Sequence, residues 1–394
     1  MNTQEVIALT DRYLMNTFGV RGVALKRGQG SRVWDQEGKA YLDFLSGISV
    51  NNLGHCHAKI VEAVRRQAGE LLHCTNLYYI EPTARLAQTL AENSFADRVF
   101  FSNSGAEANE AALKLARKYA KENIAPERTD FVTFRNSFHG RTFATLSATG
   151  QEKIQHGFEP IMPGFSYAEF NDLKSVEALV NGRTAAIMVE PVQGESGFFP
   201  ATREFLHGLR RLCDERQIVL IFDEIQCGLG RVGVNFAYQY YEVEPDIMTL
   251  AKSLGGGLPM GATLAREKIA AAFTPGSHGG TMGGNPVAAA AALAYCEELF
   301  GGGLAETARQ RGERWRGKLD ALQQRHACIL EVRGLGLMLA IRLDRPSVDV
   351  VKALEKDGLL AGAVGGDAIR FHPPLNVEER ELDEAASILD QALP

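Results

Sequence analysis

A lysine at the end of an apolar run gives the clearest chemical signal in the sequence. Ile247–Ala251 is mostly apolar and leads directly into Lys252, which precedes the three glycines Gly255–Gly257. An uncompensated buried ammonium is costly, but an amine whose pKa is lowered by burial can be consumed as an imine. The pattern therefore indicates a lysine that holds a cofactor as a Schiff base. A surface lysine at the start of a loop explains it equally well.

An acidic pair marks the end of a second apolar run. Ile218–Phe222 is followed by Asp223 and Glu224. A carboxylate at the carboxyl end of a central parallel strand faces the crevice where α/β proteins bind ligands. Such an acid can keep a pyridine nitrogen protonated and make the ring an electron sink. It can also bind magnesium in an ATPase, but the chain has no GxxxxGK[ST] loop to support that function.

A third signal lies where a predicted strand ends and a predicted helix begins, within Ser102–Glu110. Helix N-termini carry free N–H groups and positive partial charge, so they bind phosphate well. Gly105 and Ala106 are small enough for an anion to approach the backbone. A plain helix cap, with Ser104 as the capping residue and Glu107 three positions later, is the simpler interpretation of these residues alone.

Two arginines and a glycine-rich loop are further candidates. Phe138 and Arg141 follow a strand-like run; the phenyl ring can stack on a flat cofactor and the arginine can bind a carboxylate, although Phe138 also suits an ordinary core. Arg370 is a cation in an apolar stretch and needs an anion, either a ligand or a structural acid. The loop Gly279–Pro286 is either a plain connection or backbone that approaches a ligand.

Other motifs carry weaker signals. Gly228–Gly233 matches G-x-G-x-x-G, but four residues separate it from the preceding strand and no amphipathic helix clearly opens there. This context disfavours a dinucleotide site. The histidines around Cys56 and beside Cys74 lack a zinc spacing, so no metal site is expected.

Composition narrows the functional classes. The chain has 394 residues, a net charge of -6, 45% hydrophobic and 23% charged residues, which is ordinary for a globular enzyme. No basic block suggests nucleic-acid binding, no apolar run is long enough to span a membrane, and Met1–Met15 does not resemble a signal peptide. Six scattered cysteines without a CxxC pair predict reduced thiols in a cytoplasmic protein.

The order of elements predicts an α/β protein with a mostly parallel sheet. The predicted strands are Arg98–Ser102, Phe131–Arg135, Ala185–Glu190, Ile218–Asp223, Ile247–Ala251 and Gly261–Ala265. Apolar residues from Ala108 to Tyr119 recur at helical spacing. After about residue 290 the pattern of apolar and charged residues changes, which indicates a separate C-terminal subdomain.

Taken in order, these motifs have a close parallel in a known family. They are GHCH at 54–57, SNSGAEANEAALKLAR at 102–117, FHGR at 138–141, EPVQGESG at 190–197, FDEIQCGLGR at 222–231, AKSLGGGLPMGA at 251–262, HGGTMGGNP at 278–286 and IRFHPPL at 369–375. Over nearly its whole length the chain resembles the class III (ω-amino-acid) aminotransferases. The resemblance implies PLP fold type I, with a large domain built on a mostly parallel seven-stranded sheet and a smaller α+β domain.

The resemblance also implies domain boundaries and partners. Residues 1–50 are expected to pack with the small domain, residues 51–290 to form the large cofactor-binding domain, and residues 291–394 to form the small domain. The expected cofactor is pyridoxal 5'-phosphate (PLP). The expected substrates are N2-acetyl-L-ornithine and 2-oxoglutarate. Succinylornithine, ornithine and 4-aminobutyrate are alternative donors, and a glutamate-1-semialdehyde aminomutase is an alternative within the fold.

Residue roles follow from the same resemblance. Lys252 is expected to form the Schiff base and to move the proton. The cofactor-binding set implied by the family motifs is Ser104, Gly105, Ala106, Phe138, Asp223, Gln226, Lys252 and Thr281, with Thr281 supplied by the other subunit of a homodimer. The implied substrate-binding residues are Arg141, Glu195, Gly280 and Arg370, where Glu195 neutralises Arg370 while the amino donor is bound.

Overall fold

A seven-stranded sheet forms the centre of the protein. The computed structural model describes residues 1–18 and 22–394. In spatial order the strands of this sheet are Arg98–Ser102, Gly261–Ala265, Ile247–Leu250, Val219–Asp223, Thr184–Val189, Asp130–Phe134 and Phe165–Ala168. Gly261–Ala265 runs antiparallel to both of its neighbours, and the other neighbouring pairs are parallel. The predicted mostly parallel seven-stranded sheet is therefore confirmed.

The central strands are buried over their whole length. Every residue of Thr184–Val189 and of Val219–Asp223 is buried, as expected for parallel strands covered on both faces. The strand bounds agree with the predicted ones to within one residue at each end. The strand that the sequence did not reveal is Phe165–Ala168, which lies at the edge of the sheet and is only partly buried. Its four residues carry no continuous apolar run.

The helices surround this sheet and continue into the C-terminal region. They span Thr3–Tyr13, Ser46–Ser49, Ala58–Glu70, Glu81–Glu92, Gly105–Asn123, Phe143–Ala148, Glu152–Gln155, Leu173–Leu179, Arg203–Arg216, Ala237–Tyr241, Glu267–Ala270, Pro286–Cys296, Leu304–Arg325, Val348–Lys356 and Glu379–Ala392. A 3₁₀ turn covers Lys252–Gly255, and a π turn at Glu297–Gly301 follows the alanine-rich helix. The helix predicted from the spacing of Ala108 to Tyr119 is confirmed, because that face is buried.

A second sheet lies in the C-terminal region, and a third joins it to the N-terminal segment. The second has the order Ile329–Leu335, Met338–Leu343, Ala368–Phe371 and Gly362–Val364, with antiparallel neighbours throughout. The third has the order Leu25–Gln29, Arg32–Asp35, Ala40–Asp43 and Leu359–Leu360. Val192–Gln193 and Phe199–Pro200 form a short hairpin.

The third sheet bears on the expected domain organisation. Leu42 is paired with Leu359 in parallel register, so the N-terminal segment contributes strands beside a C-terminal one. This pairing supports the packing of residues 1–50 with the small domain. The boundaries near residues 50 and 290 stay predictions.

Within the described ranges, 1–18 and 22–394, no individual helix combines the length and apolar character that a membrane span requires. Pro286–Gly301 and Leu304–Arg325 meet the length and composition criteria only as a pair, across a bend of 69°.

A fully buried arginine connects three parts of the chain. The Arg231 Nε donates to Ser49 Oγ at 3.0 Å, and Nη2 donates to Asn52 Oδ1. Its Nη1 donates to the carbonyl oxygens of Leu337 at 3.0 Å and Pro373 at 2.7 Å. Burial lowers the pKa of Arg231 to about 9. The guanidinium thus fixes the N-terminal segment and the C-terminal region against the loop after the central strand.

Replacing Arg231 by alanine is expected to lower the free energy of unfolding by about 3 kcal/mol or more, since several buried acceptors lose their donor. Arg231→Lys is expected to recover part of this, because one ammonium can serve only some of them. Urea denaturation followed by circular dichroism measures the effect. The control is Arg85→Ala, whose exposed ion pair with Glu81 at 3.6 Å is expected to contribute under about 1 kcal/mol. Equal losses in the two alanine variants would contradict this account.

Candidate active site

A pocket of about 460 Å³ opens at the carboxyl ends of the parallel strands, where α/β sheets bind ligands. Most of its walls come from loops or turns that follow strands of the central sheet. Eight of the residues expected to bind the cofactor or substrate line it: Ser104, Gly105, Ala106, Phe138, Arg141, Asp223, Gln226 and Lys252. The structure therefore brings together residues that lie up to 148 positions apart in the chain (252 − 104).

Four expected site residues lie outside this pocket lining. Glu195 and Arg370 form an ion pair next to Gln226. Gly280 and Thr281 lie on an exposed loop, and Gly280 lines a smaller cavity on the other side of Asn103. Within the described single chain, Thr281 does not reach the pocket.

Lys252 enters the pocket from a constrained backbone. Its φ is +46°, in the left-handed region that side chains other than glycine rarely adopt, directly after strand Ile247–Leu250. The following turn needs glycine at Gly256, since a Cβ there would lie 2.6 Å from Ile60 Cδ1. The half-buried amine is surrounded by protein atoms on most sides. Burial lowers the pKa of Lys252 to about 8, although the negative charge of Glu195 opposes the shift.

Asp223 is buried at the end of its strand and is held by three donors. Its Oδ2 accepts hydrogen bonds from Asn109 Nδ2 at 2.7 Å and from His139 Nδ1 at 2.8 Å. Its Oδ1 accepts from the N–H of Ile225 at 3.1 Å. Burial lowers the pKa of His139. The hydrogen bond to Asp223 and the charge of Asp223 together raise that pKa by more, so it lies above its ordinary value. These three donors fix the orientation of the Asp223 carboxylate.

Asn109 and His139 were not singled out from the sequence. Each lies within a motif whose other members were singled out. Asn109 is a polar residue on the apolar face of its helix, which is the signal that could have revealed it.

Glu190 is another pocket residue that was missed. It follows strand Thr184–Val189 and accepts backbone N–H groups from Phe138 at 3.0 Å and Gly194 at 3.2 Å. Burial raises the pKa of Glu190 to about 7, and the neighbouring His139 works in the opposite direction. Its position at a strand end is the same signal that revealed Asp223.

The helix end at Ser104 is capped and still presents backbone N–H groups to the pocket. Ser104 Oγ accepts the N–H of Glu107 at 3.2 Å. The helix begins at Gly105, so the N–H groups of Gly105 and Ala106 have no partner within the helix. Both residues line the pocket. The cap uses the N–H group of Glu107, so the N–H groups of Gly105 and Ala106 stay available to an anion. A helix cap and a phosphate site, the two interpretations left open by the sequence, are therefore compatible.

Arg370 is neutralised by an acid. The Arg370 guanidinium is buried, and its Nη1 donates to Glu195 Oε1 at 2.8 Å. Gln226 Nε2 donates to the same oxygen at 3.3 Å. Burial raises the pKa of Glu195, but the charges of Arg370 and Lys252 outweigh this and leave the pKa below its usual value.

Arg141 differs from Arg370 in its surroundings. It is exposed, and its guanidinium carbon lies 5.5 Å from the centre of the Phe138 ring. The loop that holds both residues passes through Gly140, whose φ is +139°. A Cβ at Gly140 would lie 2.5 Å from Thr145 Oγ1, so this tight turn requires glycine. The pocket is therefore lined by an accessible cation, Arg141, and bordered by a neutralised one, Arg370.

The residues of the pocket fit a phosphorylated pyridine aldehyde. The helix end at Gly105 offers N–H groups for a phosphate, Asp223 offers a carboxylate for a ring nitrogen, and Lys252 offers an amine of lowered pKa. Phe138 borders the space between them. Among the described residues, no group of three or more His, Cys, Asp and Glu side chains is arranged to hold a metal ion.

The comparisons with known proteins agree with this site. The family described as aminotransferase class-III matches residues 16–393. The chain is 49% identical to an acetylornithine aminotransferase of Caldanaerobacter subterraneus subsp. tengcongensis, covering 98% of this chain and 99% of that one. It is 48% identical to a succinylornithine transaminase of Salmonella paratyphi B, covering 90% and 88%.

A solved structure extends the agreement to the fold. The ornithine aminotransferase from Toxoplasma gondii ME49 superposes with a TM-score of 0.96 at 35% identity, covering 100% of this chain and 95% of that one. The match in sequence, fold and pocket leads to one conclusion. This chain belongs to the class III aminotransferases, whose cofactor is PLP.

Proposed function

We propose that this aminotransferase moves the δ-amino group of N2-acetyl-L-ornithine to 2-oxoglutarate, giving N-acetyl-L-glutamate 5-semialdehyde and L-glutamate, a step of arginine biosynthesis. Acetylornithine aminotransferases at 44–49% identity support the substrate pair. The structural observation that carries the proposal is the pair of unlike arginines. Arg141 is accessible at the pocket, whereas Arg370 is neutralised by Glu195.

The unlike arginines suit two substrates that react at different ends. The donor reacts at a terminal amine and has one free α-carboxylate, which Arg141 binds. The acceptor reacts beside one carboxylate and carries a second one at its far end. Arg141 then binds the distal carboxylate, and Arg370 binds the one next to the keto group, as forked charge-assisted contacts. Glu195 holds Arg370 while the donor is bound and releases it for the acceptor.

Each pocket residue has one task in this proposal. The bound cofactor supplies an aldehyde that takes the amino group and a ring that withdraws electrons. Lys252 would hold the cofactor through its amine and would carry a proton at the reacting carbon. Asp223 would accept the N–H of the ring nitrogen, and Phe138 would cover one face of the ring. Gln226 would serve the phenolic oxygen.

The remaining pocket contacts hold the phosphate. The N–H groups of Gly105 and Ala106, together with Ser104, bind it at the helix end. Gly280 is placed by family resemblance beside the substrate. Its carbonyl accepts a hydrogen bond from Asn76 at 2.9 Å, which ties its loop to the segment before helix Glu81–Glu92.

A homodimer is part of the proposal, because Thr281 is then supplied to the phosphate of the partner. The exposed position of Thr281 supports this. Near its loop, three large apolar residues, Leu77, Tyr78 and Tyr79, are 86%, 70% and 108% exposed. Burying such a patch is the usual reason for association. We also propose a cytoplasmic location, which the unpaired state of the six cysteines supports.

The main alternative is a donor with a different acyl group. The 48% identity to a succinylornithine transaminase favours this second candidate. A pocket discriminates weakly between acyl groups of similar shape, since each methylene contributes only about 1–3 kcal/mol. A nicotinamide oxidoreductase, the alternative from another class, would use Gly228–Gly233. That segment forms turns, and its Arg231 side chain is fully buried in structural contacts.

The amine of Lys252 is expected to react with aldehydes at a lower pH than an ordinary lysine. Below its pKa of about 8 the amine is charged and not nucleophilic, and above that pH it is neutral. The rate at which the cofactor-free protein takes up PLP, trapped by borohydride and located by mass spectrometry, should rise through a midpoint near pH 8. Lys252→Arg should lose this label. A midpoint at the usual lysine pKa would refute the account.

Removing Arg370 should separate the two half-reactions. In Arg370→Ala, we expect kcat/KM for the 2-oxoglutarate half-reaction to fall roughly a hundredfold, because a forked contact worth about 3 kcal/mol is lost. The donor half-reaction should fall less than about fivefold. Single-turnover absorbance of the bound cofactor measures each half. Glu195→Gln is the matched variant, and it should impair the donor half because Arg370 is then left charged. Equal losses in both halves of Arg370→Ala would disprove the alternation.

The donor is identified by adding each candidate amine to the holoenzyme without a keto acid. N-acetylornithine should change the absorbance of the bound cofactor fastest. Ornithine should be slower because its charged α-amine stays free beside the carboxylate at Arg141, and 4-aminobutyrate should be slower because its amine lies one carbon nearer to its carboxylate. Equal rates with N-succinylornithine would favour the second candidate. A response to ornithine or 4-aminobutyrate alone would overturn the proposed substrate while leaving the class unaffected.

A further inference from the structure

A buried amide connects the two ends of the cofactor pocket. Asn109 is fully buried in helix Gly105–Asn123, one turn after the residues at its N-terminus. Its Nδ2 donates to Asp223 Oδ2 at 2.7 Å and to the carbonyl oxygen of His139 at 2.7 Å. Its Oδ1 accepts from Thr249 Oγ1 at 2.7 Å. These three contacts use both ends of the amide and fix which end faces Asp223.

The contacts of Asn109 affect Asp223 in two ways. Asn109 supplies one of the two side-chain donors to Asp223 Oδ2, and His139 supplies the other. Asn109 also holds the backbone carbonyl of His139, so it helps to place the second donor. A carboxylate that loses a donor on one oxygen is free to turn, and once turned it no longer accepts the N–H of a protonated ring nitrogen.

We propose that Asn109 is a positioning residue that keeps the Asp223 carboxylate aimed at the ring nitrogen of bound PLP. It thereby ties the carboxylate to the same helix whose N-terminus takes the phosphate. This inference rests on the proposed role of Asp223. Because Asn109 acts through Asp223, its loss weakens the contact at the ring nitrogen and leaves the aldehyde and phosphate contacts in place.

Two ligands separate this role from a merely structural one. The first is PLP, and the second is its carbocyclic analogue, in which the ring nitrogen is replaced by C–H while the aldehyde, phenol and phosphate are kept. Both are titrated into the full-length cofactor-free protein, and binding is followed by fluorescence. For Asn109→Ala, we expect affinity for PLP to fall about tenfold, the loss of one charge-assisted hydrogen bond. Affinity for the analogue should fall by less than about threefold.

Thr263→Val is the matched structural control. Thr263 Oγ1 donates to the carbonyl oxygen of Ala108 at 2.8 Å, so this variant also removes a buried hydrogen bond from the same helix. It makes no change to the contacts of Asp223. We expect its affinities for PLP and for the analogue to change by the same factor. Asp223→Asn is the reference for direct loss, and it should weaken binding of PLP more than binding of the analogue.

The outcomes are distinguishable. If Asp223→Asn discriminates between the ligands but Asn109→Ala weakens both equally, the role of Asn109 is refuted and that of Asp223 stands. If Asp223→Asn does not discriminate either, the proposed role of Asp223 is wrong and the inference falls with it. Should Asn109→Ala fail to fold, Thr249→Val provides the same test, because it frees the amide to turn. Its selective loss should be about threefold for PLP, and an equal change for both ligands would overturn the proposal.

Discussion

The arrangement of this site depends on the cost of burying charge. A charged group removed from water must be compensated by opposite charge or by hydrogen bonds, or it changes its protonation state. All three ways of compensating a buried charge occur in this protein, in the pocket or at its border. Asp223 is compensated by donors, Arg370 by Glu195, and Lys252 by a lowered pKa. The proposed mechanism depends on the fact that these three groups are compensated in different ways.

The sheet makes these contacts available to one ligand. Parallel strands deliver their carboxyl ends to a single edge, so Glu190, Asp223 and Lys252 meet although a helix lies between each of them and the next in the chain. The helix at Gly105 follows a strand that ends at the same edge and brings its N-terminus there. Rigid elements therefore position most of the residues proposed to bind the cofactor, whereas Arg141, proposed to bind the substrates, lies on a loop.

Much of this could be predicted from the sequence, and the gaps have physical causes. The buried strands were predictable because they are continuous apolar runs, whereas Phe165–Ala168 was not, because an edge strand buries little. Lys252 and Asp223 were signalled by their places at strand ends. Asn109 and His139 were not signalled by the sequence. Their function is to hydrogen-bond Asp223, and no sequence pattern reveals such a contact before the fold brings the residues together.

The pair formed by Arg370 and Glu195 joins two different sheets. Arg370 lies on strand Ala368–Phe371 of the C-terminal sheet, whereas Glu195 belongs to the loop between Val192–Gln193 and Phe199–Pro200. The distance between the C-terminal sheet and this loop therefore sets how strongly Glu195 holds Arg370. On the roles proposed for Arg370 and Glu195, substitutions at the contact between the two sheets, far from the pocket, would retune the preference between amino donor and keto acceptor. Selectivity would then depend on how the two sheets pack as well as on the chemistry of the pocket.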